Sequence, residues 1–206
     1  MDYWNSILTE KSWKVLLDLK QKEFDFIIIG GWAAYLLTKL HKSKDIDIVL
    51  KDHKDLDFLK KNYDLRKNDN LKKYEIKFEE IDLDIYAPFY SKLAIPAEDL
   101  KKYTIKTQGF EVVKPEALLI LKQGAEIYRK YSVKGEKDRV DIMTLLLFAD
   151  IDFKEYFDLL KIYKLEEYYD RLKKIINNFN EVKYLGLNPR EFKLRKSRLI
   201  EKLKKA

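Results

Sequence analysis

Residues 26–50 leave this chain few ways to fold. Phe26-Ile27-Ile28-Ile29 runs directly into Gly30-Gly31, Trp32-Ala33-Ala34-Tyr35-Leu36-Leu37 follows, and a polar connection leads to Ser43-Lys44-Asp45-Ile46-Asp47-Ile48-Val49-Leu50. A short apolar run ending in glycine reads as a buried strand turning into a helix. The pattern predicts a strand over 24–29, a helix from Gly30 to about Leu40 and a second strand over 45–50. Strand side chains alternate, so Asp45 and Asp47 project together while Ile46 and Ile48 face the core. Two carboxylates side by side repel unless a cation lies between them. Hard divalent ions such as Mg²⁺ bind through one or two carboxylates plus substrate phosphates. The glycine pair stands where a triphosphate would meet backbone N–H groups at a helix N-terminus. The combination points to nucleotide chemistry.

The rest of the chain predicts an α+β fold. Residues 4–21 carry Trp4, Ile7, Leu8, Trp13, Leu16, Leu17 and Leu19 for the core face of a helix. A short helix over 55–61, a turn at Asn68-Asp69-Asn70, and strands over 73–78 and 80–86 follow. Residues 103–107 and 110–113 flank Gln108-Gly109 as a hairpin, and Pro115 suits the first turn of a helix. Helices are expected at about 115–131, 137–149, 153–162, 165–179 and 189–204. The expected organisation is a small mixed-sheet head with flanking helices over 1–114, then a helical C-terminal part over 115–206.

Two blocks carry a family resemblance. Gly30-Gly31 with Asp45-Ile46-Asp47 is similar to the hG[G/S] … hDhD signature of the nucleotidyltransferase superfamily of the DNA polymerase β type. Val113-Lys114-Pro115-Glu116-Ala117-Leu118-Leu119-Ile120-Leu121-Lys122, then Arg129, then Lys137-Asp138-Arg139-Val140-Asp141, resembles a segment of AbiEii-type nucleotidyltransferases, known as toxins of toxin–antitoxin and abortive-infection systems. The resemblance covers roughly residues 24–145 and departs at His41-Lys42, where the family usually has an Arg two residues before the Ser. It implies that Asp45 and Asp47 bridge two Mg²⁺ ions with bound NTP, and that a third acid ligates the metal near the attacking hydroxyl. Asp82 and Asp84 share a strand face and are both candidates. Asp84 is preferred, because the family's third acid commonly sits one residue before an apolar pair leading out of the sheet.

Other residues read two ways. Gly30 and Gly31 bind phosphate through backbone N–H groups or serve a tight turn. Ser43 binds phosphate or ends its loop. Lys122 sits in an apolar helical run, which is costly for a lysine without a partner. The resemblance implies that Lys122 contacts the nucleotide phosphates. The alternative is a buried ion-pair network with Glu126, Arg129, Asp138 and Asp141 at helical spacing. His41 approaches phosphate or is a surface residue at a helix end. Tyr168 and Tyr169 stack on bases or pack between helices.

Charge distribution bears on the acceptor. Residues 171–206 hold 12 Lys and Arg against 3 Glu, a net of +9, whereas the preceding 170 residues carry 30 basic and 32 acidic groups. Such an end could steer a polyanion. The basic end reads as a platform for an RNA acceptor or as a solvated helix face; the resemblance implies a tRNA 3′ end or a hydroxyl on a protein partner as acceptor, and a cognate antitoxin as partner. The alternatives are a transferase for a small molecule and a nucleotidyltransferase fold that binds without turnover. Zero cysteines exclude disulfides and thiolate metal sites. No run nears the roughly 18 apolar residues of a membrane span, and residues 1–4 lack a secretory signal pattern. A cytoplasmic protein without membrane contact is expected.

Overall fold

β-Branched apolar residues at alternate positions organise the sheet of the first of two units, Met1–Lys114, in a computed structural model that describes residues 6–205. Its strands are β1 (Phe26–Ile29), β2 (Ile46–Leu50), β3 (Arg66–Asn68), β4 (Lys73–Phe78), β5 (Ile81–Tyr86), β6 (Thr104–Thr107) and β7 (Phe110–Val113). They lie in the order β3-β4-β5-β2-β1-β7-β6. The β2/β5 and β1/β7 pairs are parallel and the others antiparallel, so the sheet is mixed. Three helices flank it: α1 (Ser6–Lys20), α2 (Gly30–Thr38) and α3 (Lys54–Asn62). The fold is α+β, as the sequence pattern predicts.

Central strands bury both faces and read as apolar runs. Ile27, Ile28, Ile46, Ile48 and Val49 are buried. On β5 the alternation is strict: Ile81, Leu83 and Ile85 are buried, while Asp82, Asp84 and Tyr86 are partly exposed on the other face. α1 meets α2 through tryptophan. Trp32 is fully buried and its Nε1–H donates to Ser12 Oγ at 2.8 Å, with the Trp13 ring 5.1 Å away. The predicted core face of α1 is corrected at Ile7 and Leu17, which are 70% and 38% exposed, while Leu16 and Leu19 are buried. Trp4 lies outside the described residues. β3 and a 3-10 turn over Ala97–Lys102 were not anticipated.

The second unit, Pro115–Ala206, is helical. It contains α4 (Pro115–Arg129), α5 (Val133–Phe148), α6 (Phe153–Ile162), α7 (Glu167–Asn178), a 3-10 turn over Val182–Leu185, and α8 (Pro189–Lys205). α5 starts four residues earlier than predicted. Ser132 caps it, its Oγ accepting from Gly135 N–H at 3.1 Å. Asp152 caps α6 in the same way, accepting from the N–H groups of Lys154 and Glu155. A polar relay crosses the unit's core: Tyr156 O–H donates to Gln123 Oε1 at 2.7 Å, and Gln123 Nε2 donates to the Tyr168 carbonyl at 2.8 Å. The Tyr156 hydroxyl and both ends of the Gln123 amide are thereby paired. Among the described residues no helix is long and apolar enough to cross a membrane.

The Trp32–Ser12 bond gives a direct test of how α1 is held. Ser12→Ala leaves the buried indole N–H unpaired, so unfolding in urea should show a loss of about 1–3 kcal/mol. An unchanged free energy of unfolding would remove this bond from the account of α1 docking.

Candidate functional site

The site on the sheet is built from three local choices. β1 ends at Ile29, and Gly30 turns the chain into α2 with φ +66°, a left-handed conformation that glycine adopts without strain. β2 runs antiparallel to β1 and sets Asp47 opposite Ile29. The Asp47 carboxylate then lies against the Gly30 backbone: a Cβ added there would stand 2.0 Å from Oδ2 and 2.8 Å from the Asp47 Cβ. β5, parallel to β2 on its other side, sets Asp84 directly beside Asp47. Two acids from adjacent strands thus share one face at the N-terminus of a helix that no side chain caps.

A lysine lies with them. Lys73 on β4 is 12% exposed, and its ammonium meets Asp84 Oδ2 at 2.6 Å and Glu75 Oε1 at 3.0 Å. Glu75 also accepts from Asn68 Nδ2 at 3.0 Å and lies opposite Asp84 in register. Burial, and then the Asp47 charge, push the Asp84 carboxyl up from its ordinary 3.8 to about 6, against the pull of Lys73. Burial works against the Lys73 ammonium too, but Asp84 and Glu75 outweigh it and raise its pKa. The pair therefore keeps Lys73 charged, while Asp84 resists ionisation chiefly through burial and Asp47.

Asp45 lies in the bend just before β2 rather than within it. Its Oδ1 is buried and has no hydrogen-bond partner among the described residues. An orphaned carboxylate oxygen is costly unless something pairs it, and a hard cation is a suitable partner. Asp47 and Asp84, in register side by side, are oxygen donors of the kind a hard divalent ion takes together with substrate oxygens. Among the described residues, no three His, Cys, Asp or Glu side chains form a ready-made metal cage. Asp84 is engaged by Lys73 instead. Asp82 lies opposite Lys77, two residues along the strand from the Asp47 pairing. Gly31 and Ser43 are buried, and His41 is half-buried.

Lys122 belongs to the helical unit and is 7% exposed. Its ammonium donates to Asp141 Oδ2 at 2.6 Å and lies 3.6 Å from Asp138 Oδ1. Asp138 also takes a two-pronged grip from Arg129, at 2.7 and 3.0 Å. Glu126, fully buried, is clasped by Arg139 at 3.0 Å and by Arg171 through two nitrogens. The ion pair with Asp141 answers the cost of burying the Lys122 ammonium. Tyr169 packs edge-on against Phe157 with Lys173 over its ring, and burial raises the pKa of half-buried Tyr168. Lys73 and Glu75 were missed. Their shared strand face was readable from the spacing of 73 and 75, but their place beside Asp84 follows only from β4 pairing with β5.

No family model matches the chain, and neither does any curated protein. Among solved structures it is similar to an antigenic nucleotidyltransferase-like protein from Paracoccidioides brasiliensis, with 20% identity, a TM-score of 0.44, and coverage of 69% of this chain and 77% of that one. It is also similar to JHP933 from Helicobacter pylori, with 17% identity, a TM-score of 0.47, and coverage of 98% of this chain and 95% of that one.

The raised pKa of Asp84 has a measurable consequence. The folded protein holds that proton more tightly than the unfolded chain does. Its stabilising effect is therefore complete below the ordinary value of 3.8 and is lost as pH rises through about 6. Asp47→Asn removes one cause of the shift, so stability of the metal-free variant should fall less steeply than wild type across this window. Parallel urea-unfolding profiles would mean that Asp47 does not act on Asp84.

Proposed function

We propose that this chain is a nucleotidyltransferase of the polymerase β type, which transfers an NMP unit from an NTP to an acceptor hydroxyl and releases pyrophosphate. The observation that carries the reading is the register of Asp47 beside Asp84, with the Asp47 carboxylate against Gly30 at the start of α2. In the reaction the acceptor oxygen forms a bond to the α-phosphorus. The bond from that phosphorus to the bridging oxygen breaks, and the leaving pyrophosphate takes the electron pair. Asp45, Asp47 and Asp84 would hold Mg²⁺, two ions with NTP bound, which neutralise charge on the attacking and leaving oxygens. Gly30 and Gly31 let phosphate approach the first N–H groups of α2, with Ser43 as a further phosphate ligand. Lys122, whose ammonium donates to Asp141, is proposed as a phosphate contact on the strength of the AbiEii resemblance.

The acceptor proposed is RNA, such as a tRNA 3′ end, on the strength of the +9 end of the chain. Lys193 and Arg198 on α8 are exposed and suit phosphate contact. A toxin role with an antitoxin partner follows from the AbiEii resemblance alone. A second reading, binding without turnover, is favoured by the Lys73 ion pair on Asp84.

Incubating the protein with each α-labelled NTP, Mg²⁺ and total tRNA separates these readings. Labelled RNA is expected, and Asp47→Asn should lower labelling on the order of 100-fold or more, the scale of losing one electrostatic stabiliser. Full labelling with Asp47→Asn would end the proposal. NTP binding without any labelled product would favour the second reading.

A further inference from the structure

One face of β2, β4 and β5 gathers several acids in register. Asp47, Asp84 and Glu75 are neighbours in register there, and Asp45 adds a buried oxygen with no hydrogen-bond partner among the described residues. The Lys73 ammonium lies among them, touching Asp84 and Glu75. A lysine is costly to bury and is retained where paired charges need it. Its two contacts are unequal. The Asp84 contact at 2.6 Å crosses to β5, the strand that pairs with β2, while the Glu75 contact at 3.0 Å stays on β4. Glu75 is itself fixed by Asn68, so it is a prepared second seat for the ammonium.

We propose that Lys73 is a built-in stand-in for the catalytic cation, a positioning residue that neutralises Asp84 in the metal-free protein and gives it up when a divalent ion arrives. The inference rests on the metal reading of the Asp45/Asp47/Asp84 group. The exchange is non-covalent: the Nζ–H···Oδ2 bond to Asp84 breaks, an ion–carboxylate bond forms, and the ammonium keeps its proton and its bond to Glu75. In the metal-free state Asp84 is held aimed at Asp47 instead of being repelled from it. The cost is competition, because the ion must displace an ammonium. Affinity for the bare ion is thereby lowered, and substrate phosphates that bring additional ligands tip the balance.

The test uses the whole chain and two probes. Calorimetric titration with Mn²⁺ alone should give about tenfold tighter binding to Lys73→Met than to wild type, the worth of one charge-assisted hydrogen bond. Lys73→Arg, which keeps the positive charge, should stay close to wild type. Affinity in Lys73→Met equal to or weaker than wild type would overturn the proposal. Should that variant fail to fold, wild-type protein answers by NMR. Adding Mg²⁺ should shift the Asp47 carboxyl ¹³C and the Lys73 Nζ resonances together. A shift at Asp47 with Lys73 unmoved overturns the stand-in role and leaves the metal reading intact. No shift at Asp47 at any Mg²⁺ concentration, with NTP present, removes the metal reading and the stand-in with it.

Discussion

The contact between Asp47 and the backbone of Gly30 is the constraint around which the acid-bearing face is arranged. With a Cβ at residue 30 the carboxylate of Asp47 would have nowhere to lie, and a left-handed φ there would be strained for any other residue. Glycine answers both demands at once. The consequences extend outwards from β1. Its antiparallel register with β2 sets Asp47 opposite Ile29, and the parallel register of β2 with β5 then sets Asp84 beside Asp47. A slip of one residue in either pairing would turn the acids to the other face of the sheet. The fully buried Ile46, Ile48, Leu83 and Ile85 on the alternate positions oppose such a slip, because they would be carried to the acids' half-exposed face.

The two units handle buried charge differently, and the difference is chemical. In the helical unit three buried carboxylates are met by cations, Asp141 by Lys122, Asp138 by Arg129, and Glu126 by Arg139 and Arg171, while Glu116 accepts from the Asp152 N–H. Such closed pairs are weak evidence for stability, since desolvation offsets much of the attraction, but breaking one partner is severe. On the sheet the balance is left open. Asp84 and Glu75 share Lys73, the Asp84 carboxyl is driven up to about 6, and Asp45 Oδ1 has no hydrogen-bond partner among the described residues. An unsettled polar group in an otherwise well-paired protein is where a ligand has most to offer.

Much of the fold was legible because it rests on short-range rules. Period-2 alternation at residues 81–86 and the apolar run ending at Gly30 are visible in the letters, and the structure has strands at both. α1 was less legible. Its spacing offered Ile7 and Leu17 to the core, yet only part of that stripe has a surface to cover, and both remain exposed. β3 was missed since Arg66-Lys67-Asn68 lacks apolar content, and an edge strand needs none on its open face. The start of α5 was placed late because Ser132 acts through a side-chain cap, a signal easily lost beside charged residues 134–139. At the site, Asp47 and Asp84 stood out as acids on apolar strands. Lys73 did not, because its meaning lies in β4 pairing with β5, and a lysine in a charged strand looks like any solvated residue until that pairing is known.

The basic end of the chain illustrates why net charge and available charge differ. α8 buries Phe192, Leu199 and Leu203 as an amphipathic helix should. Two of its cations are turned to packing. Arg195 lies with its guanidinium 4.7 Å from the centre of the Phe148 ring and donates to the Leu147 carbonyl, near the C-terminus of α5, where positive charge is favoured. Lys196 donates to the Asn177 carbonyl at the end of α7, and burial lowers its pKa. These contacts satisfy carbonyls that the helices leave without partners. Part of the +9 therefore caps the unit's own helices. The share free to meet a polyanion falls to exposed groups such as Lys193 and Arg198, a smaller charge than composition alone suggests.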